Sequence, residues 1–430
     1  MLLARWLRSF IRIGELTVID AEGREHTFGN GVPAVAIRLH DRRLHRKLFF
    51  QPGLAAGTAY MDGTLTVEHG SLYDFLDLIG HNYELAGPRS LNGPIQPFES
   101  LFHRLDQFNT PKIARRNASH HYDLDLQLYD LFLDADRQYS CAYFLGDTDD
   151  LETAQQNKRR HIAAKLLLEP GMRVLDIGCG WGGLSLYLAE RFDTDVTGIT
   201  LSEEQLKVAK ERATFCDCGD RVRFFLRDYR EQDGTYDRIL SVGMFEHVCV
   251  SQYDRYFQIV RDRLTDAGVA LLHTIGHTDP PRPANPWIRS FIFPGGYAPA
   301  FSEIVPAIER SGLIVTDVEV LRLHYAETLR HWRHRFLTNR DRAKEIYDER
   351  FCKMWEFYLA SCEMAFRHMN LCVFQIQTAK RQSSIPVTRD YIFESERALA
   401  AEESNTRVLD GSDTPEFAIP TVGEPARKAS

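Results

Sequence analysis

No apolar run in this chain approaches the ~18–20 residues that a membrane-crossing helix needs, so no helical span is expected. The start lacks a long apolar stretch followed by small residues, so no secretory signal is expected either. Cysteine is sparse. Eight residues, Cys141, Cys179, Cys216, Cys218, Cys249, Cys352, Cys362 and Cys372, are spread over 430 positions. They show no paired metal-ligand spacing, since Cys216-x-Cys218 has no second half. No metal site is expected, and thiols in this number fit a reduced cytoplasmic protein better than a disulfide scaffold. Excess positive charge is also missing. A net charge of -8 argues against nonspecific nucleic-acid binding by the whole chain. No internal repeat is present. What remains is ordinary globular composition, 44% hydrophobic and 26% charged, with length for two or three domains.

Charge is not uniform along the chain. Arg38 to Lys47, Lys112 to Arg116 and Arg322 to Arg342 are locally basic. Such runs are commonly solvated faces; the sharper reading is contact with an anionic membrane surface. Residues 2–13 place Leu2, Leu3, Trp6, Leu7 and Phe10 on one helical face and Arg5, Arg8 and Arg12 on the other. That pattern fits an interfacial helix and equally a helix packed on a small domain. Alternation at Leu16 to Asp20, a turn at Glu22-Gly23 and a second stretch from Val35 read as hairpin strands. With Gly53 to Leu65 and an amphipathic helix around Leu72 to Ile79, they make an α+β module over 1–85.

Residues 86–120, with Gly87-Pro88, Gly93-Pro94, Pro97 and Pro111, read as a linker. Regular alternation follows. Strands are expected at Arg173–Ile177, Asp195–Ile199, Val222–Leu226, Asp237–Val242 and Val269–Ile275. Helices are expected at Trp181–Arg191, Ser202–Phe215 and from about Gln252. This is a doubly wound α/β sheet, to which Leu313–Leu323 and Leu371–Thr378 add strands with an antiparallel edge. A charged helical region, Ala326 to His368, lies between them. The domain spans 121–395, and the polar tail 396–430 is expected to be disordered.

The stretch VLDIGCGWGG, Val174 to Gly183, carries the chemistry of this sheet. An apolar strand ends in a Gly-Cys-Gly turn, where absent Cβ atoms let backbone approach a ligand, and Asp176 offers a carboxylate at the strand end. The pattern resembles motif I of class I S-adenosylmethionine methyltransferases, a Rossmann-like fold. Further motifs narrow the resemblance. They are Tyr139-Ser-Cys-Ala-Tyr-Phe144, Gly198-Ile-Thr-Leu-Ser-x-x-Gln205, Gly243-Met-Phe-Glu-His-Val248, His273-Thr-Ile-Gly276, Phe293-Pro-Gly-Gly296 and Tyr325-Ala-x-Thr-Leu-Arg-x-Trp332. Over residues 10 to about 395 the chain resembles the cyclopropane-fatty-acyl-phospholipid synthases. PxLAxGxAYMDG at Pro52 to Gly63 matches that family's lipid-handling domain, with Thr58 standing where glutamate is expected.

The resemblance implies methyl transfer from S-adenosylmethionine to the cis double bond of unsaturated acyl chains in membrane phospholipids, then ring closure. It assigns the cofactor to Tyr139, Ser140, Gly178, Gly180, Thr200, Leu201, Gln205 and the Asp228-Tyr229 pair, with Asp176 sharing polar contacts. It implies a bound bicarbonate as base, held by Cys141, Glu246, His273, Tyr325 and the backbone of Ile275. A dry pocket must exclude water from a developing cation, with Tyr143, Phe144, Phe245, Phe291, Phe293 and Trp332 as candidate aromatic walls. Cys362 matches a cysteine marked as nucleophile in the family, although this chemistry needs no covalent intermediate. A relative that leaves a methyl or methylene branch shares the first half-reaction, and a non-catalytic lipid-binding protein is the third reading. The expected place is cytoplasmic, peripheral on the inner face of the membrane. A homodimer is left open.

Overall fold

The computed structural model describes residues 2–87 and 124–410. Most of the 86–120 segment and the basic run at Lys112 to Arg116 lie outside the described residues. A small sheet forms first, from β1 (Glu15–Ile19), β2 (Glu25–Gly29), β3 (Ala34–Leu39) and β4 (Leu65–His69), in the order β2-β1-β3-β4. The expected hairpin between the Leu16 and Val35 stretches is a parallel pair instead, with Val18 beside Ile37. The hairpin partner of β1 is β2. In β2 only Phe28 is fully buried, which leaves too little alternation to mark a strand in the sequence.

Helix Leu2–Phe10 turns Leu3, Leu7 and Phe10 into this module and stacks Trp6 on Phe10, ring centroids 4.7 Å apart. Leu3, Leu7 and Phe10 are used in packing, as the packed reading of residues 2–13 expects, while Leu2 on the same face is exposed. Helix Leu72–Ala86 covers the module, its first turn closed by a capping box between Ser71 and Asp74. Helix Pro52–Met61 carries the Pro52 to Gly63 motif. Its Gly57 lies against the larger half of the molecule: an added Cβ would stand 2.6 Å from Trp287 Nε1 and 2.7 Å from Phe357 Cε1. The glycine lets two helices close on a tryptophan.

The large sheet comprises β5 (Arg173–Ile177), β6 (Asp195–Thr200), β7 (Val222–Leu226), β8 (Tyr236–Val242), β9 (Leu264–His277), β10 (Ile314–Leu321) and β11 (Leu371–Ala379). Their order is β10-β11-β9-β8-β5-β6-β7. Strands β5 to β9 run parallel, and β11 is antiparallel to both its neighbours. The reversed strand therefore lies one position in from the edge rather than at it. Beyond Arg173, β5 is buried along its length, as a strand covered on both faces must be. Helix Glu203–Thr214 starts at Ser202, whose hydroxyl accepts from Gln205 N at 3.2 Å.

Three further expectations are corrected. The basic run Arg322 to Arg342 is largely neutralised: Arg330, Arg333, Arg335, Arg340 and Arg342 each pair with a glutamate. Residues beyond 395 are not uniformly disordered, because helix Asp390–Asp410 continues the fold. It docks Glu396 on His161, and Glu403 on Gln156 at 2.6 Å and Tyr187 at 3.0 Å. Cys216 and Cys218 are joined in a disulfide, where reduced thiols are expected. Proximity in a tight turn brings the sulfurs together. Among the described residues, no helix is long and apolar enough to cross a membrane.

Candidate active site

Two cavities meet at the ends of β5, β8 and β9. The first, about 160 Å³, is lined by all ten residues expected at the cofactor: Tyr139, Ser140, Asp176, Gly178, Gly180, Thr200, Leu201, Gln205, Asp228 and Tyr229. Chain reversal after β5 explains its shape. Gly178, Gly180 and Gly182 have φ of 86°, 56° and 84°, a region disfavoured for residues with a Cβ. An added Cβ at Gly180 meets nothing within 4 Å, whereas at Gly178 it would stand 2.8 Å from Met244 Cβ. Backbone thus forms an open cradle at Gly180, which fits a ligand approaching closely. Asp176 accepts from Ser185 Oγ at 2.7 Å, and burial pushes its carboxyl up to about 6. Thr200 Oγ1 donates to Gln205 Oε1 at 2.9 Å. The Asp228 carboxylate is held by Arg230 at 2.7 and 2.6 Å, so it is already engaged within the wall.

The second cavity, about 1430 Å³, is lined by Cys141, Glu246, His273, Ile275, Tyr325 and Cys362. Its far wall comes from the small-sheet module, including Leu3, Leu7, Leu16, Ile37 and Phe75. The two cavities share Tyr139, Ser140, Gly243 and His247. Strand β9 places His273 and Ile275 on one face by its two-residue period. Glu246 lies in the turn after β8 and accepts from Ile275 N at 2.6 Å. That amide hydrogen is engaged by Glu246, so Ile275 orients the carboxylate.

Two buried polar atoms in this group lack a hydrogen-bond partner: Glu246 Oε2 and His273 Nε2. Burial pushes the Glu246 carboxyl up to about 7 and holds His273 neutral, well below its ordinary value. Gln375 Nε2 lies 3.2 Å from His273 Nδ1; as donor it leaves the imidazole proton on Nε2. Unsatisfied buried donors and acceptors are costly. An acceptor carboxylate and an N–H donor, both unpaired, suit a small oxyanion that also carries a hydroxyl. Bicarbonate is such a group, and these residues fit it.

The Cys362 thiol is pushed up to about 12 by burial, with no cationic cause. A thiol held protonated is a poor nucleophile. Cys362→Ser is expected to keep turnover within about threefold of the parent in a methyl-transfer assay; a loss of ~100-fold or more would restore the nucleophile reading. Of the expected aromatic walls, only Phe293 lines the acyl-sized cavity. Tyr143 and Phe144 stack on His161 and His331, Phe245 on Tyr253, and Phe291 against Trp287. Trp332 packs behind Tyr139 and Tyr325, at 5.2 and 5.7 Å.

Some supporting residues lie outside the expected site set. Lys158 Nζ, fully buried, donates to Gln138 Oε1 at 2.6 Å and Ser140 Oγ at 2.8 Å, fixing the loop between the cavities. His247 stands in both cavity walls, and burial pushes its imidazole down to about 4. Arg212 reaches Trp181 O at 3.2 Å and also pairs with Asp136, tying the glycine turn to the loop before Tyr139.

Comparison with known proteins agrees with this geometry. The family model described as mycolic acid cyclopropane synthetase matches residues 109–376. The chain is 38% identical over 347 residues to the cyclopropane-fatty-acyl-phospholipid synthase of Escherichia coli K12, covering 81% of this chain and 88% of that protein. It is 35% identical over 372 residues to a probable fatty acid methyltransferase of Pseudomonas putida, covering 84% and 92%. Mycolic acid cyclopropane synthase CmaA1, solved with SAH and CTAB, superposes with a TM-score of 0.59 at 33% identity, covering 61% of this chain and 97% of its own. The chain belongs to the mycolic acid cyclopropane synthetase family and is an S-adenosylmethionine-dependent, lipid-modifying methyltransferase.

Proposed function

We propose that the protein transfers the methyl of S-adenosylmethionine to the cis double bond of unsaturated acyl chains in membrane phospholipids and closes a cyclopropane ring. The junction of a glycine-cradled pocket with a large apolar cavity, where Glu246 and His273 leave polar atoms unpaired, carries this reading. The alkene π pair forms a bond to the methyl carbon as the S–CH3 bond breaks, leaving S-adenosylhomocysteine and a cation on the chain. A proton then leaves the added methyl, and its C–H pair closes the ring. Bicarbonate, when bound, supplies the base for that proton. Glu246, His273 and Tyr325 would hold and orient it, with Cys141 buried in the same cavity wall. The small-sheet module serves as the lipid-handling domain, since it supplies the apolar far wall.

A second reading, a methyl- or methylene-branched product, draws support from the relative named a probable fatty acid methyltransferase. Mass alone does not separate a ring from a methylated alkene, as each adds one carbon and two hydrogens. Expression in a host free of cyclopropane lipids, with trideuteromethyl cofactor supplied to the extract, does. Ring closure keeps two deuteriums and gives upfield ring protons in NMR. Three deuteriums with surviving alkene signals overturn cyclopropanation in favour of methylation. Two deuteriums with no ring protons, and a deuterium signal in the alkene region from the =CD2 carbon, identify the methylene branch.

A further inference from the structure

The seam between the small-sheet module and the catalytic half holds a cluster that methyl transfer does not use. Helix Leu72–Ala86 presents Asp77, His81 and Glu84 at positions i, i+4 and i+7, one face of a helix. The last residue of helix Glu349–His368 meets them from the other side. His368 Nε2 lies 2.9 Å from Asp77 Oδ1 and Nδ1 3.0 Å from Glu84 Oε1. His81 Nε2 lies 3.4 Å from the other Asp77 oxygen and its Nδ1 4.0 Å from Glu84 Oε2. The two imidazole rings are 4.4 Å apart. Gly80 makes the approach feasible, since a Cβ there would stand 2.4 Å from His368 Cδ2.

Charge is unbalanced at this spot. Arg367, one residue before His368, is turned to Glu327 at 2.7 Å and Glu363 at 3.1 Å. Among the described residues, no lysine or arginine pairs with Asp77 or Glu84. One donor atom each from Asp77, His81 and His368 already lie within 4.8 Å of one another. Tetrahedral coordination at ~2.0–2.2 Å needs them only modestly closer. Mixed imidazole and carboxylate donors suit zinc-type ions better than calcium or magnesium, which take oxygen.

We propose that Asp77, His81 and His368 bind one zinc-type divalent cation that pins the N-terminal module to the catalytic half. The site is distinct from both cavities' chemistry. The test uses the full chain stripped with chelator, then titrated with Zn2+ by calorimetry and with Co2+ by visible absorption. One equivalent should bind, raise the thermal midpoint, and give cobalt d–d bands without thiolate charge transfer. His81→Ala, at a half-exposed position, should leave the metal-free midpoint near that of the parent and weaken binding roughly 100-fold. His368→Gln should remove binding as well. No binding to the parent, unchanged affinity in His81→Ala, or a thiolate band that assigns the ion to cysteine would each overturn the site.

Discussion

Glu246→Gln is expected to cut turnover about 100-fold or more while leaving S-adenosylmethionine affinity within about twofold, because the residue acts on the proton and not on the cofactor. The same change should stabilise the protein. Burial raises the Glu246 carboxyl from 4.5 to about 7, so the folded state holds the proton more tightly than the unfolded one. The cost of the buried charge accordingly grows as pH rises from the unfolded value to the folded one, and is constant above. At pH 8 it amounts to about 3 kcal/mol; at pH 5 little of it is present. Glutamine keeps the acceptor for Ile275 N and removes the charge. Denaturant unfolding should therefore show a gain at pH 8 that vanishes near pH 5, and parent turnover should rise through pH 7. A variant that loses stability at pH 8, or keeps its turnover, would remove Glu246 from the proposed base site.

Gly180→Val is expected to weaken cofactor binding at least about 100-fold with a small change in thermal midpoint. Its Cβ would enter open space, so the branched side chain competes with ligand and not with protein. The positive φ adds roughly 1 kcal/mol of strain. Gly178→Val should also lose binding, but through displacement of the Met244 wall and with a larger loss of stability. Calorimetric titration and thermal denaturation of both variants separate the two effects. Equal cofactor affinity in folded Gly180→Val would place the site elsewhere.

Legibility differed by element for physical reasons. Strand β5 and its glycine turn are visible because a strand buried on both faces is continuously apolar and the turn admits few residues. Helix Leu151–Leu166 is the opposite case. LETAQQNKRRHIAAKL shows no apolar face, yet Gln155, Asn157, Lys158, His161 and Lys165 are buried. Their polar ends are satisfied by partners far away in sequence, such as Glu319 for His161 at 2.7 Å. Hydrophobic periodicity cannot register burial of that kind. The same holds for Glu396 and Glu403, whose partners lie more than two hundred residues upstream, so the helix carrying them reads as a tail. All the cofactor and base candidates gather at two adjoining cavities, but the engagement of Ile275 N by Glu246 depends on a tertiary approach that no motif encodes.

The far wall of the acyl-sized cavity has an evolutionary consequence. The family model begins at residue 109, past the small sheet, whereas that sheet supplies Leu16 and Ile37 to the cavity. The family-matched residues and the far wall of this cavity are thus written in separate stretches of chain, open to selection one at a time. A lineage can change this wall without altering Glu246 or His273, which lie within the family-matched stretch. The constraint on such an exchange is local: any replacement module must present a residue as small as Gly57 to Trp287 and Phe357, or the two halves will not close.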